Sequence, residues 1–430
     1  MIRKLANDAL FALPCDKQYN FFNGGEKQSM KHQLVLFALI CLLGNLPITY
    51  ATDTNAHYAT QTYTHELPKG AVPLAQSKEC ASCHPTIYNE WKESSHARSS
   101  ALVNPAHGAV HQAFLKAMKE KGKKGNYHCA NCHAPMADNI QELMTGAAEL
   151  DSNNWTHTEG TGCTFCHRID SIGEKETFNH YKLNMDGALY SSNPAKKDLP
   201  HATEQSSLFT KGEVCMGCHS HKLNKKKVPI CMMKDVSQGN CLECHMPEVA
   251  GPSTVGIDGK THRSHTMPGG HDIEMLKKAV TLDAEIISKD EEQHLVVTVK
   301  NIIKHTFPST NPMRMAFVKV VAKDKEGKKI WKQFAKSPLE DRQALFFKAF
   351  KAGDKIGVPS WLADGIAFDT RLKAGETREI TYVLNDPEIK QVDVMLIYRL
   401  FPGKAIKAFG IPENGINEKD YLVAQKSLTL

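Results

Sequence analysis

Ten of the thirteen cysteines fall into five copies of one pentapeptide, C-x-x-C-H: "CASCH" from Cys80, "CANCH" from Cys129, "CTFCH" from Cys163, "CMGCH" from Cys215 and "CLECH" from Cys241. Two thiols three residues apart can each add to one of the two vinyl groups of a haem. A histidine directly after the second thiol is then held beneath the ring, where a neutral imidazole nitrogen binds iron. The spacing therefore reads as five covalently bound haem c groups. Their sulfur attachments are Cys80 and Cys83, Cys129 and Cys132, Cys163 and Cys166, Cys215 and Cys218, and Cys241 and Cys244; the first iron ligands are His84, His133, His167, His219 and His245.

Two other readings use the same residues. A pair of C-x-x-C units makes a four-cysteine zinc site, but zinc leaves the histidine after every unit unexplained and strands one unit of five. A thioredoxin-like redox pair accounts for one copy, not for all. No C-x-x-C-K variant occurs, so one familiar sign of a catalytic haem is absent.

The chain resembles multihaem c-type cytochromes of the class related to hydroxylamine oxidoreductase and the tetrahaem cytochromes of nitrifiers. The matching stretches are "CASCHPTIYNEWKESSHA", "CHAPM", "GTGCTFCHRI", "CLECHMP", "PGGHD" and "IAFDTRLKAGE". They touch most of residues 78–380, and each is short. The resemblance implies haems in close-packed pairs, with second axial histidines arriving from distant segments.

A carrier with two histidines on every iron needs five more ligands. Of 21 histidines, 16 lie outside the pentapeptides. His96 follows the first pentapeptide in a stretch that reads as a helix, and its likeness to the family's W-x-x-S-x-H-A pattern implies a distal ligand. His201 precedes the fourth pentapeptide at a spacing familiar from relatives. His271 sits in "PGGHD", where Gly269 and Gly270 permit close backbone approach and Asp272 is placed to orient the imidazole. His265 or His262 competes for a further place. His305 resembles the family's G-H-x-x-P-T-G segment, with Lys304 in place of the glycine. His180, His128, His107, His111 and His157 are weaker candidates, and Met267, Met232 and Met233 are alternative ligands that would raise a haem's potential.

Export agrees with haem attachment, which takes place outside the cytoplasm. Lys31 and His32 precede "LVLFALICLLGNLP", an apolar run of about 14 residues that is short for a membrane span and ends in small residues, as a secretory signal does. Residues 1–29 read as a doubtful upstream extension, 30–51 as the signal and 52–75 as a linker. Eleven cysteines then remain in the mature chain, and Cys231, outside every pentapeptide, reads as a buried structural thiol. The net charge of +6 and the cluster Lys225, Lys226 and Lys227 read as solvated surface, with no nucleic acid expected for an exported chain.

Beyond residue 272 no cysteine occurs and the pattern changes. Leu295, Val297 and Val299 alternate, as do Ala316, Val318 and Val320, Ile380, Tyr382 and Leu384, and Val392, Val394, Leu396 and Tyr398. Period-two runs separated by "KDKEGKK" and "LKAGET" read as antiparallel strands. The expected fold is therefore α+β and multidomain: a mostly helical and irregular pentahaem cytochrome c domain over 76–272, then an antiparallel, Ig-like β-sandwich over 273–430.

The expected function is single-electron transfer through closely spaced haems between redox proteins in respiration. A membrane quinol-oxidising cytochrome is one expected partner, the β-sandwich a docking element, and the protein periplasmic or otherwise exported. The alternative is an oxidoreductase acting on a small nitrogen or sulfur compound at one open-sided haem. No catalytic residue is assigned.

Overall fold

Proline and asparagine start the long helix of the cysteine-bearing region. Asn104 accepts a hydrogen bond from the His107 backbone N–H at 3.0 Å, and Pro105 occupies the first helical position of Pro105–Glu120. Ala106, His107, Val110 and His111 form its buried stripe. The helix Pro85–Glu93 opens on Pro85 in the same way and stops at Glu93. Ser94 and Ser95 are buried there, and His96 lies in the turn beyond, not on a continuing helix as the sequence pattern predicts.

The computed structural model describes residues 74–430 except 175, 178, 185–187, 195–199, 221, 232–239 and 257–258. The segments read above as upstream extension and signal, nearly all of the expected linker, and Met232 and Met233 lie outside the described residues. Among the described residues no helix is long and apolar enough to cross a membrane.

Among the described residues up to 272, the long helix is joined by shorter helices, loops and three two-stranded sheets. β1 (Ile169–Gly173) pairs antiparallel with β2 (His180–Leu183), β3 (Leu189–Ser191) pairs parallel with β4 (Thr203–Gln205), and β5 (Glu248–Ala250) pairs antiparallel with β6 (Thr261–Arg263). The apolar clusters here are small. One gathers Tyr127, Ile140, Leu143 and Met144; another gathers Leu74, Met136, Phe165, Ile169, Tyr181 and Leu183.

From Val280 onward antiparallel sheets dominate. β7 (Val280–Lys289), β8 (Glu292–Asn301) and β15 (Thr377–Val383) form one sheet with β8 central. β9 (Met315–Lys323) and β16 (Gln391–Arg399) lie side by side at the centre of another, flanked by β10 (Lys329–Lys332), β11 (Leu345–Phe346) and β17 (Tyr421–Thr429). β12 (Lys348–Ala352) lies between β13 (Lys355–Ile356) and β14 (Gly365–Asp369) in a third.

β8 shows the expected alternation, with Leu295, Val297 and Val299 fully buried between more exposed neighbours. β9 and β16 do not. Phe317 and Val321 are buried along with Ala316, Val318 and Val320, and Ile397 along with Leu396 and Tyr398, because both faces of these strands are covered.

The two halves share a core. Ala106 and Val110 from the long helix, and Val228, Ile230 and Cys231 from the cysteine-bearing half, join the apolar cluster of the strands. Cys231 is buried, with its Sγ 3.5 Å from Thr310 Oγ1. Lys348 Nζ fixes this strap by donating to the carbonyls of Pro229 at 2.6 Å and Ile230 at 3.2 Å.

Candidate haem-binding sites

Each C-x-x-C-H unit is coiled into about one helical turn, which brings both sulfurs and the histidine to one side of the backbone. The histidine N–H donates to the carbonyl of the first cysteine in "CASCH" at 2.8 Å, in "CANCH" at 2.9 Å, and in "CTFCH" and "CMGCH" at 3.0 Å. The fifth unit forms the helix Cys241–His245, started by Asn240, whose side chain accepts from Leu242 N.

The units also meet one another. Cys80 lies beside Cys163, Cys132 beside Cys218, and Cys215 beside Cys241. Cys166 is close enough to Cys215 and Cys218 to raise both thiols. The first unit therefore adjoins the third, the third the fourth, and the fourth both the second and the fifth. Burial pushes the Cys129 and Cys166 thiols up to about 12.

The carbonyls around these units set which imidazole nitrogen is free. A carbonyl only accepts, so a ring nitrogen facing one must carry the proton. His84 Nδ1 donates to Ser253 O at 2.7 Å, His167 Nδ1 to Tyr190 O at 2.6 Å, His245 Nδ1 to Pro268 O at 2.6 Å and His133 Nδ1 to Ser99 O at 3.2 Å. In each ring Nε2 is left with the lone pair a metal takes. Burial lowers the pKa of His167 and thereby favours its neutral, ligating form.

Second histidines stand opposite four of the five pentapeptide histidines. His84 and His201 have ring centres 6.4 Å apart, His219 and His96 6.2 Å, His167 and His265 6.3 Å, and His245 and His305 6.4 Å. Metal–imidazole bonds of about 2.0–2.1 Å, extended by roughly 1.1 Å to each ring centre and doubled, give about 6.3 Å. The last two pairs are near parallel, at 24° and 18°. His265 Nδ1 donates to Arg263 O at 2.8 Å and His305 Nδ1 to Thr306 O at 3.1 Å, so their Nε2 atoms too keep the lone pair. Burial lowers both, His265 to about 4.

The second unit is arranged differently. His107 lies 4.3 Å from His133, too close for an iron between them, and its Nδ1 donates to the same Ser99 carbonyl at 2.9 Å. It therefore sits on the Nδ1 side of His133, behind the ring and away from the ligating nitrogen.

His271 also departs from the expectation that it caps an iron. Its Nε2 accepts from Arg314 Nη2 at 3.1 Å, which occupies the lone pair a metal would need. Arg314 is buried, donates through Nη1 to Leu400 O at 2.9 Å and lies over the Phe401 ring. Gly270 permits close approach to Tyr398, whose hydroxyl would stand 2.6 Å from an added Cβ. Asp272 caps the helix Ile273–Lys277 by accepting from Met275 N at 2.9 Å.

His262 has both ring nitrogens engaged, by Gly251 O at 2.9 Å and Glu90 Oε1 at 3.2 Å, while Glu90 Oε2 accepts from the His265 backbone N–H at 2.8 Å. His157 is likewise engaged, by Asn139 Oδ1 and the Asp151 N–H. His180 lies across Gly173 on the paired strand β1, and His111 packs on Tyr127. Glu90, Ser99 and Arg314 carry no local sequence signal that sets them apart; only the fold brings them to the histidines.

The family model for cytochrome c554 and c-prime matches residues 79–168, which hold the first three pentapeptides. The solved structure of a penta-haem cytochrome c552 from Thermochromatium tepidum is similar, with a TM-score of 0.69 and 25% identity over 83% of this chain and 99% of that one. A structural-genomics target covers 35% of this chain and 84% of its own at a TM-score of 0.16 and 10% identity, too little likeness to bear on the fold. No curated protein matches the sequence. The repeated C-x-x-C-H turns, the paired imidazoles at an iron-bridging distance, the cytochrome c554 family match and the likeness to the penta-haem structure support a multihaem c-type cytochrome with covalently bound haem c that transfers electrons.

Proposed function

We propose that the chain is an exported pentahaem carrier that passes single electrons between redox proteins in respiration. The observation that carries the reading is the set of four imidazole pairs at 6.2–6.4 Å. An iron with an imidazole on each face changes charge without opening a place for substrate, and five attachment units in mutual contact keep the tunnelling steps short. The proposed distal ligands are His201, His96, His265 and His305 for the first, fourth, third and fifth units. His271 serves instead as a partner of Arg314. The penta-haem count of the similar Thermochromatium tepidum structure supports one haem per unit here.

The signal-like segment at 30–51 supports export, and the strand-rich half over 273–430 is proposed as an Ig-like sandwich. Ile356 and Leu422, exposed on β13 and β17, support that half as a docking element for a redox partner such as a membrane quinol-oxidising cytochrome.

The placement of His107 behind His133 favours keeping a second reading. In it, the second haem has an open distal side and reduces or oxidises a small nitrogen or sulfur compound, in line with the resemblance to hydroxylamine oxidoreductase. Electron paramagnetic resonance of the oxidised holoprotein, with haem content measured by mass, tests both. Five haems with at least four low-spin centres are expected. A high-spin centre that binds small ligands would move the second site to the enzymatic reading, and fewer than four low-spin centres would overturn the carrier assignment.

A further inference from the structure

The Nδ1 hydrogen bond of the second unit's histidine is longer than those of the first, third and fifth. His133 Nδ1 stands 3.2 Å from its carbonyl acceptor, against 2.7, 2.6 and 2.6 Å for His84, His167 and His245. The Ser99 carbonyl also receives His107 Nδ1, at the shorter distance of 2.9 Å. His107 is held there by the long helix, one turn inside its Asn104 cap, and packs on His133 at an interplanar angle of 58°.

His107 Nε2 is buried with no hydrogen-bond partner among the described residues, an arrangement that a hydrocarbon side chain at this position would avoid. A purely packing role therefore does not account for a histidine here. A donor to the Ser99 carbonyl does.

We propose that His107 is a positioning residue that sets the reduction potential of the second haem by competing with His133 for the Ser99 carbonyl. A proton-accepting partner at Nδ1 makes an imidazole a more basic ligand, and a more basic ligand favours ferric iron. Sharing the acceptor weakens that effect at His133 and raises the potential of the second haem. The proposal rests on His133 being the iron ligand of that haem.

The test uses the holoprotein. His107→Phe keeps an aromatic ring in the pocket and deletes the donor, so spectroelectrochemical titration is expected to show one midpoint potential moved lower with the others in place. His107→Asn puts an amide N–H near the Nδ1 position and is expected to leave that potential near its wild-type value. An unmoved or raised potential in the Phe variant, or the same shift in both variants, overturns the proposal. If Phe costs the second haem, His107→Ser, too short to reach the carbonyl, replaces it in the comparison. Haem content by mass separates this outcome from a failure of the underlying reading, since a wild-type chain without haem at Cys129 and Cys132 would defeat the ligand assignment itself.

Discussion

Asn301, fully buried at the end of β8, donates through Nδ2 to the carbonyl oxygen of His305 at 2.8 Å. The same amide reaches Lys373 O at 2.8 Å and Leu372 O at 3.3 Å, while its Oδ1 accepts from Ile303 N at 3.1 Å. Phe307 and Leu372 exchange backbone hydrogen bonds across the same loop, and Arg371 donates to Ser309 O and Thr310 O. The cysteine-free half thus does more than flank the cytochrome. It holds the imidazole that faces His245 in place by a web of main-chain contacts.

Replacing Asn301 by Leu removes these bonds and leaves buried carbonyls unpaired. Each uncompensated polar group costs about 1–3 kcal/mol, so a loss of several kcal/mol in holoprotein stability is expected, by denaturant unfolding. One low-spin signal should weaken in the same variant. An Asn301→Leu protein with wild-type stability and an unchanged spectrum would show that the clasp does not control His305.

His305 and His271 are expected to behave oppositely. His305→Ala should convert one low-spin haem to high spin and leave the haem content intact. His271→Ala should leave every spin state in place and lower stability by about 1–3 kcal/mol, because the buried Arg314 loses one acceptor. A new high-spin signal in the His271 variant would return it to the ligand set.

The same contrast separates two histidines of one short strap. His265→Ala should open the iron of the third unit, whereas His262→Gln, which can keep a bond to Glu90, should not. Magnetic circular dichroism of both variants reads this directly, and a spectral change in the His262 variant alone would reverse the assignment.

These contrasts show which parts of the site were legible in the sequence. The ten cysteines and five histidines of the pentapeptides stand out in the sequence because the C-x-x-C-H pattern is complete within five consecutive residues. The histidine that faces each of these rings is chosen by the fold: His201 meets His84 and His96 meets His219 across segments with no shared local pattern. His271 misled because glycines beside a histidine look the same whether the backbone approaches a haem or, as here, Tyr398 and Arg314. The strand-rich half was legible where one face is covered, as at Leu295, Val297 and Val299. It was less so at β9 and β16, where covering both faces removes the alternation. Nothing in the sequence announced that Val110 and Ile230 complete the core of the other half.

That shared core gives a pH prediction at Lys348, which is 3% exposed. Burial, with the nearby Arg371 charge, lowers its pKa from 10.5 to about 8. Below pH 8 the lysine is charged in both folded and unfolded chains. Between about 8 and 10.5 the folded protein releases the proton while the unfolded chain still binds it, so this group makes stability rise with pH. The lowered value corresponds to a change of about 3 kcal/mol across that window. Comparing wild type with Lys348→Met cancels the other groups that titrate there. The variant also leaves the Pro229 and Ile230 carbonyls without their donor, a cost that does not vary with pH. Wild type should therefore gain on the variant between pH 8 and 10.5 in denaturant unfolding, and a gap that stays constant or narrows would mean that Lys348 is not held as a buried cation on the strap.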